Sequence, residues 1–177
     1  MKSKVLAISA ISASLTAICL AIGTYIEIAE FLALVLSSIT VILPLYYRSY
    51  KGAFLCYIVG GLIGLTLSAF NLLSFVYPAY FLFFGIYPIV SNIFIEKQLN
   101  KYICLAIGLI WCLLCVYGIF FYCLFVLNMT MSEFPLWVVE NVYFLLVPLG
   151  VVFFFIYDRY IKVSKILLDR YLGKIIK

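Results

Sequence analysis

With 177 residues, 68% hydrophobic, 19% aromatic and only 11% charged, the chain has far more apolar surface than a water-soluble domain of its length can cover, since soluble domains are roughly 25% charged. Lipid is the solvent this composition demands. The formal net charge of +5 is gathered at predicted loops and the C-terminal tail, where it reads as a topology signal and an attraction to anionic headgroups; a nucleic-acid-binding stripe is excluded.

The first predicted helix runs from about Val5 to Gly23, behind Lys2 and Lys4. The apolar run is too long for the core of a signal peptide, and no polar mature domain follows, so the helix is expected to be retained. After a tight turn at Gly23-Thr24-Tyr25, the second helix spans about Glu27 to Tyr47, and Arg48 to Gly52 forms a loop. The third helix covers about Ala53 to Phe70, with Asn71 and Ser74 in the turn beyond it. The fourth covers about Phe75 to Ile95 and returns through Glu96 to Lys101. The fifth, about Tyr102 to Leu127, is longer than a span needs and is expected to tilt or project. A loop from Asn128 to Pro135 leads into the sixth helix, about Leu136 to Tyr157. Six crossings of about 20 residues each fill the length of the chain.

The tail, residues 158–177, differs in kind. Ile161, Leu168, Leu172 and Ile175 recur at helical spacing, while Arg159, Lys162, Arg170 and Lys177 take other faces. Two readings follow: a separate amphipathic helix lying at the interface, or the sixth helix running on into water.

All twelve Lys and Arg residues fall in four clusters: Lys2 with Lys4, Arg48 with Lys51, Lys97 with Lys101, and six between Arg159 and Lys177. If helical hairpins bridge successive clusters, every positive charge lies on one side, and the other side carries only acids: Glu27, Glu30, Glu133 and Glu140. Short cytoplasmic loops collect Lys and Arg. The expectation is an all-α, polytopic bundle of six transmembrane helices (residues 1–157, with the tail appended), set in the cell membrane with both termini in the cytoplasm.

Catalysis has little to work with. The chain contains no His, which removes the commonest metal ligand and general base. All six Cys lie in predicted helices, where buried Cys acts as a small hydrophobe. Cys112-x-x-Cys115 has no second pair to complete a zinc site. There is no phosphate-binding loop for ATP, and neither Asp lies within a predicted span. Asn128-Met-Thr130 fits a glycosylation acceptor only as a short triplet. No enzyme, metal or cofactor is expected.

Three features point to function. Ala10, Ala13, Ala17 and Ala21 make a smooth stripe on the first helix, opposite Ile8, Ile11, Leu15, Ile18 and Ile22. In lipid, helices associate through close packing of small residues, so the stripe marks either a docking surface for a partner or a contact with a neighbour in the same chain. Gly60, Gly61, Gly64 and Ser68 form a similar stripe on the third helix, read as internal packing. The second feature is a polar rim on the acidic side, comprising Glu27, Glu30, Asn71, Trp137, Glu140, Asn141 and Tyr143. Glu140 lies a turn past Trp137, about 5 Å deep at 1.5 Å per residue, and a carboxylate there either faces a water-filled cavity or a partner or is simply interfacial. The third is the fourth helix, where Pro78, Gly85 and Pro88 imply kinks. Tyr77 and Tyr80 there, like Trp137, are either pocket walls or members of an aromatic belt. Pro44 and Pro148 bend the second and sixth helices similarly.

With the repeats Ala13-Ser-Leu-Thr-Ala17 and Ala17-Ile-Cys-Leu-Ala21, the passage from Leu43-Pro-Leu-Tyr-Tyr-Arg through Gly60-Gly-Leu-Ile-Gly64, and six spans in about 175 residues, the chain resembles the substrate-binding S components of energy-coupling-factor vitamin transporters. The resemblance covers nearly the whole chain. It implies that the alanine stripe docks onto a transmembrane coupling subunit powered by an ATPase pair. It also implies an outward pocket, lined by Glu27, Glu30, Asn71, Tyr77, Tyr80, Trp137, Glu140, Asn141 and Tyr143, that captures a small water-soluble nutrient. An acidic rim favours a cationic or donor-rich ligand. In size and helix number the chain is also similar to the rod-shape protein MreD, which implies the alternative of a non-transporting scaffold acting through helix contacts.

A cysteine introduced beside Arg48 or Lys97 is expected to react with a membrane-impermeant thiol reagent only after permeabilisation. Reaction in intact cells reverses the orientation.

Overall fold

The computed structural model of the chain describes residues 3–71, 74–126 and 136–175, apart from the side chains of 136–140, 169 and 171–175. The described residues form helices and no strand: α1 Ser3–Tyr25, a 3-10 turn Glu27–Ala29 leading into α2 Glu30–Tyr46, α3 Tyr50–Leu67, a short α4 Val76–Ala79, α5 Tyr87–Glu96, α6 Lys101–Phe125 and α7 Leu136–Ile175. A stretch of π-helix, Tyr80–Phe84, joins α4 to α5. Val76–Glu96 therefore counts as one interrupted span, and six segments are long and apolar enough to cross a bilayer. The chain is built as a multi-pass membrane protein.

Local chemistry sets the helix ends. The Ser49 hydroxyl accepts the Gly52 N–H at 3.1 Å, and this N-cap starts α3 at Tyr50, three residues before the apolar run that marks the span in the sequence. Asn100 caps α6 in the same way through the Tyr102 N–H. α7 does not break at Tyr157. Of the two readings of the tail, a continuous helix is the one formed: forty residues, about 60 Å at 1.5 Å per residue. With Asp158, Ile161 and Ser164 buried, the two turns after Tyr157 pack on the bundle.

The tightest packing joins α1 to α3. Ala13 and Ala17 are buried against the glycine stripe. A Cβ at Gly60 would sit 2.8 Å from the Thr16 Cβ and 3.1 Å from the Ala13 carbonyl oxygen, and one at Gly64 would meet Leu20 and Ala17 at 3.2–3.4 Å. The Thr16 and Thr40 hydroxyls, 2.5 Å apart, hold α2 onto the same seam. The inner half of the alanine stripe thus makes a contact within the chain. Ala10 remains exposed and Ala21 half-buried.

The interrupted span forms the second centre. Gly85 N–H bonds to the Tyr80 carbonyl at 2.8 Å, one residue further back than an α-helix requires, so the Phe81 carbonyl loses its helical donor. The Tyr57 hydroxyl supplies one at 2.8 Å. Pro88 has no N–H to offer the carbonyl four residues back, which belongs to Phe84, and the Tyr157 hydroxyl donates to it at 3.2 Å. Leu82 accepts the Trp111 indole N–H at 2.9 Å and the Cys115 thiol at 3.4 Å. Phe83, Phe84, Phe153 and Tyr157 pack around this stretch with ring centroids 5.1–6.0 Å apart.

Replacing Gly60 with Leu is expected to force α1 off α3. The unfolding free energy in detergent should fall by about 1–3 kcal/mol, the usual cost of overpacking; an unchanged value would mean that the seam is loose.

Candidate functional site

Side-chain contacts gather the basic clusters at one end of the bundle. Near the start of α1 and α3, Ser9 and Gly52 abut. At the end of α5, the Asn92 side-chain amide donates to the Tyr50 hydroxyl at 2.9 Å and to Glu96 at 3.4 Å. The Lys165 ammonium of α7 donates to the Asn92 side-chain oxygen. Asn92 therefore ties three elements together with both ends of its amide. Two turns earlier on α7, Asp158 accepts the Tyr87 hydroxyl at 2.7 Å and the Lys162 ammonium at 2.5 Å. Asp158 is 8% exposed and Asn92 4%. Burial of this carboxylate is tolerated because both of its oxygens are partnered, one by a cation.

Beside this network lies a cavity of about 720 Å³ between α5, the start of α6 and α7, within the range of small-molecule sites. Its polar groups are Tyr87, Ser91, Asp158, Lys101, Arg159 and Lys162; its apolar walls include Phe94, Leu105, Phe155 and Ile156. The cavity exists because α6 stands away from its neighbours there. Gly108 admits the Phe154 ring, which a Cβ would meet at 2.8 Å, and the buried residues of α6 are Gly108, Cys112 and Cys115. From Lys101 to Leu105 none is buried, and the gap opens. A second, much smaller crevice of about 10 Å³ lies on the other side of α5, against Asn92 and Lys165.

On the acidic side, the described residues singled out from the sequence are placed as follows. Tyr77 and Tyr80 are buried, and their hydroxyls serve the fold: Tyr77 donates to the Gly64 carbonyl at 2.7 Å and accepts from Ser68, while Tyr80 donates to the Tyr57 carbonyl at 3.1 Å. Glu27 and Asn71 are exposed, and Glu30 is half-buried. Asn141 and Tyr143 are exposed at the start of α7, where the Tyr143 carbonyl accepts the Tyr117 hydroxyl. The side chains of Trp137 and Glu140, and residues 128–135 with Glu133, lie outside the described residues.

Asp158 follows the apolar run of α7 directly and lies within the helical segment Asn141–Leu168 that carries the sixth candidate span. Its signal in the sequence is the spacing to Lys162, i to i+4 on one helix face, directly after the run Phe153-Phe-Phe-Ile-Tyr157. Ser91 and Asn92, polar residues inside the fourth span, are a second signal. All six Cys are free thiols. Cys112 and Cys115 are buried among apolar neighbours, and no group of three or more metal-ligating side chains converges among the described residues.

The fold and site define a six-span membrane protein with an ion-paired network and a charge-lined cavity at its basic end. Comparison with family models, curated proteins and solved structures finds no match for this chain.

Changing Asp158 to Ala strands a buried tyrosine hydroxyl and removes the counter-charge of Lys162. We expect a loss of about 1–3 kcal/mol in unfolding free energy in detergent, with Tyr87→Phe costing less because no buried charge is orphaned. Equal stability of Asp158→Ala and the parent protein would show that the network carries no load.

Proposed function

We propose that this chain is a membrane transport protein of the S-component kind, holding a small molecule in the cavity between α5, α6 and α7. One observation carries the reading: a membrane-crossing helix places Asp158, Arg159 and Lys162 on the wall of that cavity. Ionisable side chains within spans are expensive, and they usually mark a pathway for substrate or ions. The cavity is walled on one side by α5, the regular half of the interrupted span, through Tyr87, Ser91 and Phe94. The cargo site moves from the acidic rim to the basic end, which faces the cytoplasm in this orientation, because the tyrosines of the rim are committed to backbone carbonyls.

Hand-over to a coupling subunit driven by a separate ATPase pair belongs to the same proposal. Since Ala13 and Ala17 are taken up by α3, the docking surface falls to the outward side of α1, where Ala7, Ala10 and Ser14 are exposed.

The test is purification of the full chain from its native membrane, with identification of copurifying proteins and bound small molecules. We expect an ATPase pair and a coupling subunit, together with a retained compound that is lost from a Leu105→Trp variant whose cavity is filled. Recovery with cell-wall machinery alone and no retained compound would replace transport with the scaffold reading.

A further inference from the structure

The cavity is graded from charged to apolar along its length. Lys101 opens α6 and Leu105 follows one turn deeper, about 6 Å at 1.5 Å per residue. On α7, Arg159 and Lys162 stand at the outer level and Phe155 and Ile156 a turn further in. Three cations and one carboxylate line the space. The carboxylate, Asp158, is already matched by Lys162 at 2.5 Å, whereas Lys101 and Arg159 have no ion-pair partner among the described residues. Glu96, the other acid on this end of α5, is bonded to Asn92 and does not line the cavity.

Such a cavity fits neither a neutral polar solute nor a cation. Two uncompensated positive charges at the mouth call for an anion, and charge-assisted bonds from Lys and Arg to phosphate oxygens are among the strongest available. Walls of Phe, Leu and Ile beneath them gain nothing from a hydrated ion but bury a hydrocarbon chain well. We propose that the cavity binds an amphiphile with a phosphate head and an apolar tail, the head held by Lys101 and Arg159 and the tail laid along Leu105, Phe155 and Ile156. The proposal rests on the cavity being the cargo site and names the class of cargo.

The experiment uses the full chain in dodecyl maltoside micelles and follows its thermal unfolding as dodecyl phosphate is added at constant ionic strength. A ligand that binds only the folded protein raises Tm in a saturable way. We expect such a rise, weakened by added salt because the head contacts are ionic. The double variant Lys101→Gln, Arg159→Gln changes two exposed side chains and should unfold like the parent without ligand. It should, however, need about tenfold more dodecyl phosphate, the equivalent of one lost 1.4 kcal/mol contact. Dodecyltrimethylammonium should give no saturable rise, and neither should inorganic phosphate at the same concentrations.

An equal response to the cationic amphiphile, an unchanged titration in the double variant, or inorganic phosphate acting as well as its dodecyl ester would each overturn the proposal. If dodecyl phosphate fails while the parent protein still retains a compound that Leu105→Trp loses, the cavity remains the cargo site and only the cargo class is wrong. If dodecyl phosphate titrates Leu105→Trp as it does the parent, the cavity is not the site, and both readings fall.

Discussion

Inside hydrocarbon there is no water to take up a stray backbone carbonyl, and each one left bare costs several kcal/mol. The span Val76–Glu96 creates three such demands within four residues, at Phe81, Leu82 and Phe84. Their donors come from three different helices: Tyr57 on α3, Trp111 and Cys115 on α6, Tyr157 on α7. A regular helix in this position would need none of them. The irregular stretch therefore acts as a hub, because the neighbouring helices must stay close for the carbonyls to remain bonded. The hydrogen bonds constrain the arrangement of α3, α6 and α7 more than apolar contact does, since lipid competes equally well for a Leu or Phe surface.

The two ends of the molecule are held by different means. Small residues set the α1–α3 seam, where Ala13, Ala17, Gly60 and Gly64 let backbones approach, with Thr16 and Thr40 adding a polar clasp. At the basic end, α7 is held to α5 by the pairs Asp158–Tyr87 and Lys165–Asn92, with Lys162 neutralising Asp158 from the same helix. Here helix spacing is set by side chains long enough to bridge a gap. Close packing leaves no room for a ligand, and long polar side chains do. The cavity lies at the polar end, alongside the part of α6 that nothing buries.

Much of this was legible in the chain itself. Apolar runs and the confinement of Lys and Arg carry the number of spans, and their limits fall within a few residues of the helices formed, except at the end of the sixth, where α7 runs on to Ile175. Ser49 extended α3 backward because a cap acts through a backbone N–H that hydropathy does not register. The alanine stripe was visible, but its partner was not, since small residues look the same facing another chain or Gly60. Tyr77 and Tyr80 were visible as aromatic and polar, but their hydroxyls are aimed by the helical interruption, which two prolines announce without fixing its geometry. The partners of Asp158 are hidden for a different reason. A charge that follows an apolar run reads as the beginning of a tail, and hydropathy does not register that a tyrosine and a lysine at i+4 bury it.

The pairing of Asp158 shows how the basic end is organised. Lys and Arg at loop ends are ordinarily read as orientation signals and then set aside, as though their charge had no further use. Here the same charges have three fates. Lys162 neutralises Asp158 on its own helix and Lys165 reaches Asn92 of α5, Arg48 and Lys51 sit at the α2–α3 turn, and Lys101 and Arg159 line a space between helices with no ion-pair partner among the described residues. A positive potential sharpened by low-dielectric walls raises the local concentration of anions. The chain cannot satisfy the sidedness rule with short basic loops and also make this cavity neutral without adding acids to α6 or α7. Among the residues lining the cavity, the acid present is Asp158, and Lys162 already pairs with it. The basic groups that read as an orientation signal in the sequence thus also set the sign of the charge lining this space.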